Sequence, residues 1–128
     1  VKTVKASSSM PENISLDSMA IFANATVYFE FDKSSLTSKS IQTLKSAVDA
    51  LNENSTIEVT LSGHADERGT REYNLALGQR RAESVSDYLV LNGIKKSRIT
   101  VKSFGEEKPL AYGQDEASYA KNRRVEIN

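Results

Sequence analysis

Residues 61–88 read LSGHADERGTREYNLALGQRRAESVSDY, and this segment has the pattern of a strand end, a polar loop and a long helix. Apolar and polar residues alternate up to Gly63, which is typical of a strand with one buried face. The polar run HADERG follows, and Asn92-Gly93 comes after the helical pattern in the order expected at a helix end. The pattern therefore predicts a helix from about Arg71 to Leu91, preceded by a strand and a polar loop.

The same patterns predict the elements on either side. The first helix is expected to start near Thr37 or Ser38, because their hydroxyls can cap the free amides of a first turn. A short helix is expected around Glu116–Ala120. The predicted strands alternate in the same way as the central one, and they cover Thr26–Asp32, Thr56–Gly63, Arg98–Phe104 and Arg124–Ile127.

Each long helix carries one apolar stripe at helical spacing, which predicts a single buried face. In the first helix the stripe consists of Ile41, Leu44, Val48 and Leu51. In the second helix we predict a stripe of Leu75, Gly78, Ala82, Val85 and Leu89.

The alternation of strands and helices gives parallel strand pairs with helical crossovers. Because the strands alternate instead of being continuously apolar, helices should cover one face of the sheet, and the other face should be more polar and wetter. We therefore predict an α/β (α+β) two-layer sandwich with a mixed sheet of about four strands and two main helices on one face. Residues 1–25 lack a sustained period and are expected to form a partly ordered lead-in or tether, with the domain at residues 26–128.

Composition excludes several classes of function. The 128 residues suit one domain, and 17 Lys and Arg balance 17 Asp and Glu, so nucleic-acid binding is not expected. There is no cysteine, which excludes disulfides and thiolate metal sites. No apolar run in the sequence approaches the roughly 18 to 20 residues that a membrane helix needs.

Two acidic residues, Asp32 and Asp66, come just past the ends of strands that feed helices. In a sheet of parallel strands those ends share one edge, where ligands bind in such folds. At about 100° per residue, Asn74 and Arg81 lie within about 20° of each other beside the apolar stripe, close to Leu77. The sequence therefore predicts one cleft between these loops and the second helix.

The neighbouring arginines 80 and 81 receive opposite interpretations. Arg80 points about 170° from the middle of the stripe and should lie in solvent. Arg81 should lie beside the core, with its guanidinium free to swing towards the strand ends. A guanidinium binds carboxylates and a carboxylate binds ammonium groups, so Asp66 and Arg81 together could hold the zwitterionic head of an amino acid. A plain Asp66–Arg81 salt bridge that pins the helix to the loop is the alternative.

Catalytic, metal and cofactor sites are not expected. His64 is the single histidine, and one imidazole with the carboxylates of Asp66 and Glu67 is a poor ligand set for a transition metal. We expect His64 to shape the loop by hydrogen bonding. The sequence has no G-x-S-x-G nucleophile motif.

Five stretches carry a resemblance to a known family. They read YFEFD, SGHADERGTREYN, LALGQRRAESV, SFGEEKP and KNRRVEI. In this order, over residues 25–128, they resemble the OmpA-like peptidoglycan-binding domain, in particular its peptidoglycan-associated lipoprotein (Pal) branch. Gly78 stands where many OmpA relatives carry Ser, a departure that favours this branch. Arg123 and Arg124 match a common family ending, which we interpret as mainly structural pairing for the last strand.

The resemblance implies a non-catalytic module that grips peptidoglycan at the meso-diaminopimelate of the stem peptide. The binding residues that it implies are Phe31, Asp32, Asp66, Asn74, Leu77 and Arg81. It also implies a gram-negative periplasmic location, a lipid anchor in the outer membrane, and the partner TolB of the Tol-Pal system. Because this chain has no cysteine, the lipidated residue would lie outside it. The alternatives are an OmpA-like anchor of another envelope protein and an interaction adaptor for TolB.

Overall fold

A computed structural model describes residues 25–128, and the predicted lead-in lies outside these residues except for Ala25. The strands are β1 (Thr26–Tyr28), β2 (Val59–His64), β3 (Ile99–Gly105) and β4 (Arg124–Ile127). The helices are α1 (Ser38–Glu53), α2 (Arg71–Leu91) and α3 (Glu116–Asn122), with a 3₁₀ turn at Lys96–Arg98. Within this described part, no helix combines the length and apolar character that crossing a bilayer requires.

The four strands form one mixed sheet in the order β1-β4-β2-β3. Strands β2 and β3 are parallel neighbours joined by the crossover helix α2, and β4 is antiparallel to both β1 and β2. Leu61 lies between Val101 on β3 and Ile127 on β4. Since β1 and β2 are both antiparallel to β4, they run in the same direction and their carboxyl ends share one edge. The predicted α/β fold with a mixed four-stranded sheet is confirmed.

Both long helices begin at capping threonines. The Thr37 hydroxyl accepts a hydrogen bond from the Ser40 amide at 3.1 Å, and the Thr70 hydroxyl accepts one from the Tyr73 amide at 3.0 Å. Each bond satisfies an amide that has no partner inside its helix. At the other end, α2 stops at Leu91 and is followed by Asn92 and Gly93, where a φ of 96° favours glycine. These local signals explain why the bounds of α2 match the prediction.

The core lies between the sheet and the two long helices. Its buried members are Ala25, Val27, Phe29, Leu44, Ala47, Val48, Leu51, Val59, Leu61, Ala82, Val85, Leu89, Ile94, Val125 and Ile127. The prediction for Leu75 was wrong, because its side chain is 48% exposed while Leu77 is 4% exposed. Leu75 lies on the side of α2 towards β3, the edge strand, so no further element of the described chain covers it.

Helix α2 packs directly on the sheet at two glycines. A Cβ placed on Gly63 would lie 1.8 Å from the carbonyl oxygen of Gly78, which is far inside van der Waals contact. Only a hydrogen at position 63 allows this approach. The contact fixes the height of α2 above β2, and with it the position of Arg81, which lies three residues beyond Gly78.

The opposite face of the sheet is polar, as predicted, but the expectation that it is wet was wrong for its central part. Ser62, His64 and Arg124 are buried there, at 6%, 2% and 2% exposure. The chain after β3 covers them: Arg124 Nη2 donates to the carbonyl of Lys108 at 3.0 Å. The His64 ring stacks on Phe104, with ring centroids 5.5 Å apart.

Candidate functional site

A cavity of about 230 Å³ opens at the sheet edge where β1 and β2 end. Its walls come from the loop after β1, the loop after β2 and the first half of α2. The lining residues are Phe31, Asp32, Ala65, Asp66, Arg68, Gly69, Tyr73, Asn74, Leu77 and Arg81. All six residues predicted for the site therefore lie around one cavity.

The loop after β1 forms the first wall of the cavity, and it begins earlier in the chain than predicted. Strand β1 ends at Tyr28, not at Asp32, and the Phe29 amide still donates to the Arg123 carbonyl at 2.9 Å. Beyond that point the chain turns over the cavity, with Asp32 in the left-handed region at φ 60°. The Tyr73 hydroxyl of α2 donates a hydrogen bond to the Asp32 carboxylate, which ties this loop to the helix.

Arg81 is fully buried at the back of the cavity, with 0% exposure. Its Nε donates to the Lys33 carbonyl at 2.8 Å, and its Nη1 and Nη2 donate to the carbonyls of His64 at 2.9 Å and Glu30 at 3.0 Å. The expectation of a guanidinium free to swing was therefore wrong, because these carbonyls hold it in one place. Burial lowers the pKa of Arg81 to about 10, so it stays charged at neutral pH.

The contacts of Arg81 join both loops of the site. Glu30 and Lys33 belong to the loop after β1, and His64 is the last residue of β2. A guanidinium carries five N–H donors, so these three bonds leave two of them, one on each terminal nitrogen, for another acceptor. Arg81 thus joins the two loops that border the cavity and keeps two N–H groups without an acceptor among residues 25–128.

Asp66 is also buried, at 4% exposure, and it pairs with Arg68 rather than with Arg81. Its Oδ1 accepts from the Arg68 amide and from Arg68 Nε, both at 3.0 Å, and its Oδ2 accepts from Arg68 Nη2 at 2.9 Å. Arg123 Nη1 lies 3.7 Å from Oδ2. Burial would raise the pKa of Asp66, but the hydrogen bonds from Arg68 outweigh it and the pKa is lowered.

A direct Asp66–Arg81 salt bridge is thus not how α2 is held to the loop. In residues 25–128 the ion-pair partners of Asp66 are Arg68 and Arg123, and main-chain carbonyls are the partners of Arg81. The two groups still interact, since the charge of Asp66 favours the charged form of Arg81. They line one cavity as an acid and a base supplied by different elements.

Arg68 was missed as a site residue by the sequence reasoning. Its guanidinium lies between two aromatic rings, 4.1 Å from the ring centre of Phe31 and 4.3 Å from that of Tyr119. The side chain is 36% exposed, whereas Arg81 is not exposed. The run of charged residues in the loop was a signal for a charged site, but Tyr119 lies about fifty positions later and no local pattern links the two.

Arg123 was interpreted as mainly structural, and its contacts only partly agree. Its Nε donates to the Phe29 carbonyl at 2.8 Å, which supports the start of the loop after β1. Its Nη2 donates to Glu116 at 2.8 Å, while its buried Nη1 has no hydrogen-bond partner among the described residues. Arg123 also lies beside Asp66, because this Nη1 is 3.7 Å from Oδ2 of that carboxylate.

The remaining predicted site residues on α2 form the second wall. Asn74 is 1% exposed, and its Nδ2 donates to the Glu106 carboxylate at 2.7 Å. Leu77 presents an apolar surface to the cavity. Arg80 is exposed, as predicted, and its Cζ lies 5.7 Å from the ring centre of Tyr73.

The ring of His64 does not shape the loop by hydrogen bonding, contrary to the prediction. Both ring nitrogens are buried without a hydrogen-bond partner in the described chain, and the main-chain carbonyl makes the bond to Arg81 instead. Burial, with a smaller effect of Arg124, lowers the pKa of His64 to about 4. Over residues 25–128, no group of three or more His, Cys, Asp or Glu side chains is arranged to hold a metal ion.

Comparison with known proteins agrees with this architecture. The model of the OmpA family matches residues 28–123. The peptidoglycan-associated lipoprotein of Pseudomonas aeruginosa is 48% identical over 111 residues, which are 87% of this chain and 66% of the relative. The protein of the same name from Haemophilus influenzae is 48% identical over 100 residues, 78% of this chain and 65% of the relative. This chain therefore spans about two thirds of the length of these relatives.

A solved structure gives the same result. The crystal structure of the peptidoglycan-associated lipoprotein from Burkholderia pseudomallei superposes with a TM-score of 0.80 at 42% identity, covering 84% of this chain and 91% of that one. The family resemblance and the non-enzymatic assignment made from the sequence are confirmed. The chain belongs to the OmpA family and is similar to its peptidoglycan-associated lipoproteins.

Proposed function

We propose that this domain is a non-catalytic anchor that binds peptidoglycan at the meso-diaminopimelate of the stem peptide. The free end of that residue carries an ammonium and a carboxylate on one carbon. The observation that carries the proposal is the single cavity lined by both Asp66 and Arg81. An acid and a base that line the same cavity match the two charges of such a head.

In this proposal Asp66 accepts hydrogen bonds from the ammonium, and the two unspent N–H groups of Arg81 donate to the carboxylate. Because main-chain carbonyls already hold Arg81, no side-chain freedom is lost when the ligand binds, which favours affinity. Phe31 and Leu77 supply apolar contact for the methylene chain. Asp32 and Asn74 border the cavity and contribute polar contacts to the rest of the stem.

Calorimetric titration with a diaminopimelate-containing tripeptide tests the proposal. The Asp66→Asn variant keeps the shape of the side chain but removes its charge, and we expect it to weaken binding about 10- to 100-fold, as for the loss of a charged hydrogen bond. Asp87→Asn, on the exposed side of α2, is the matched control and should bind like wild type. Equal affinities of wild type and Asp66→Asn would reject the proposed role of Asp66.

The names of the relatives support a location at the cell wall. We propose that the full-length protein is anchored by a lipid to the periplasmic face of the gram-negative outer membrane and acts in the Tol-Pal system, with TolB as a partner. Incubation of sacculi with the domain should release no soluble fragments, since the proposed function is binding and not hydrolysis.

A second candidate function is a protein-interaction adaptor for TolB, with wall binding secondary. It is favoured by the loop before α3, which exposes Leu110 at 56% and Tyr112 at 82%. The loop is fixed because Asn122 Oδ1 accepts from the amides of Leu110 at 2.7 Å and Ala111 at 3.1 Å. A TolB pull-down with and without muropeptide separates the two. Competition indicates a shared surface, and unchanged capture indicates separate ones.

A further inference from the structure

We infer that Arg68 is a specificity-determining residue. In the free domain its side chain is hydrogen-bonded to Asp66, and on binding it leaves Asp66 and pairs with the ligand's carboxylate instead. This inference rests on the proposed function, since it concerns the ligand of the same cavity. Its consequence is that the site admits a head bearing both charges and rejects a lone ammonium, such as the side chain of a lysine-type stem.

Asp66 has little free capacity while Arg68 is in place. A carboxylate offers about four acceptor positions, two on each oxygen. The amide and Nε of Arg68 take both positions on Oδ1, and Nη2 takes one on Oδ2. The position that remains lies next to Arg123 Nη1, 3.7 Å from Oδ2. An incoming ammonium therefore gains full contact with Asp66 only when the side chain of Arg68 gives up its bonds.

The surroundings of Arg68 keep it in the cavity after such an exchange. Its Cζ lies over the rings of Phe31 and Tyr119, 4.1 and 4.3 Å from their centres, and arginine stacks favourably on aromatic rings. Its amide bond to Oδ1 does not involve the side chain, so Asp66 stays aimed at the cavity. Glu116 Oε1 is 3.9 Å from Nη2, an ion pair that is too long for a hydrogen bond.

Charge balance then decides which ligands are accepted. The charged residues that line the cavity are Asp32, Asp66, Arg68 and Arg81, so two acids balance two bases. A zwitterionic head adds no net charge: its ammonium takes Asp66, and its carboxylate lies between Arg81 and the released Arg68. A lone ammonium adds one positive charge and leaves Arg68 with only its long ion pair to Glu116, which is unfavourable in a partly buried site.

The test compares two tripeptides that differ only in the third residue, diaminopimelate or lysine, by calorimetric titration of wild type and Arg68→Met. Methionine keeps an unbranched apolar side chain beside the two rings but is uncharged and cannot pair with Asp66. We expect the lysine tripeptide to bind Arg68→Met about tenfold more tightly than wild type, and the diaminopimelate tripeptide about tenfold more weakly. The preference for diaminopimelate thus falls about 100-fold. An unchanged preference overturns the inference.

Two further measurements keep the outcome unambiguous. Arg80→Met removes an exposed arginine and should keep the wild-type preference. Arg68→Lys, which retains the charge but not the paired donors, should give an intermediate preference and serves if Arg68→Met does not fold. Failure of wild type to bind the diaminopimelate tripeptide would reject the proposed function itself. Wild-type binding combined with unchanged preference in both Arg68 variants would reject only the role of Arg68.

Discussion

Replacement of Arg81 by alanine should destabilise the fold as well as weaken ligand binding. The side chain is completely buried and donates to three main-chain carbonyls from two loops. Without the guanidinium these acceptors lose their partner, and the loop after β1 loses its attachment to α2. A purely functional residue at the cavity surface would have no such effect.

The magnitude follows from how deeply each carbonyl is buried. The bond to His64 is buried, so an orphaned carbonyl there costs about 1–3 kcal/mol. The bonds to Glu30 and Lys33 are partly buried, where water can replace the donor, and each contributes about 0.5–1.5 kcal/mol. Relief of the desolvation that lowers the pKa of Arg81 offsets part of the sum. We therefore expect the free energy of unfolding to fall by about 2–4 kcal/mol.

Urea denaturation followed by circular dichroism measures this change, with Arg80→Ala as the matched control. Because Arg80 is exposed, its substitution should alter the free energy of unfolding by no more than about 0.5 kcal/mol. If Arg81→Ala unfolds at the same urea concentration as the control, the carbonyl contacts do not stabilise the site and the reasoning is refuted.

Four other substitutions test separate parts of the structure. Gly63→Ala should lower the free energy of unfolding by about 2 kcal/mol or more because its Cβ meets the Gly78 carbonyl. The control is Gly93→Ala, whose Cβ meets no atom within 4 Å and which is strained only by its φ of 96°. It should lower the free energy of unfolding by about 1 kcal/mol in the same urea assay. The pKa of His64 is lowered to about 4 in the folded domain and is near 6.5 in the unfolded chain. The contribution of the neutral imidazole to the free energy of unfolding is therefore complete above pH 6.5 and is lost as the pH falls towards 4. Wild type should therefore lose up to about 3 kcal/mol more than His64→Phe across that window, and parallel pH profiles of the two would contradict this. Asn122→Ala should speed hydrogen exchange at the two amides that its Oδ1 binds, and unchanged protection would show that the loop is held in another way.

The parts of the fold that the sequence predicted well depend on local signals. The bounds of α2 follow from the Thr70 hydroxyl at one end and Asn92-Gly93 at the other, and both act within a few residues. Strand β1 was predicted too long because alternation continues to Asp32. The residues that hold the chain after β1 are distant in sequence, because Arg81 and Arg123 donate to the carbonyls that follow the strand.

In the site, too, some features could be predicted from the sequence and others depend on contacts that it does not reveal. That Asp66 and Arg81 would share one cavity followed from the common edge of parallel strands and from helix geometry. The contacts that hold Asp66 and Arg81 in place could not be predicted, because a polar loop can pair its charges in several ways that the sequence does not distinguish. The pairing of Asp66 with Arg68 depends on the loop conformation and on Tyr119, which arrives from α3. Leu75 was misassigned because helical spacing does not indicate which flank of α2 lies at the open edge of the sheet.

The central claim, that Asp66 and Arg81 bind the two charges of one amino-acid head, is tested most directly by a crystal structure of the domain with a diaminopimelate tripeptide. The account predicts the ammonium of the ligand about 3 Å from the Asp66 carboxylate and one carboxylate oxygen about 3 Å from a terminal nitrogen of Arg81. A stem peptide bound outside this cavity, or bound in it with its charged head turned away from both groups, would contradict the account.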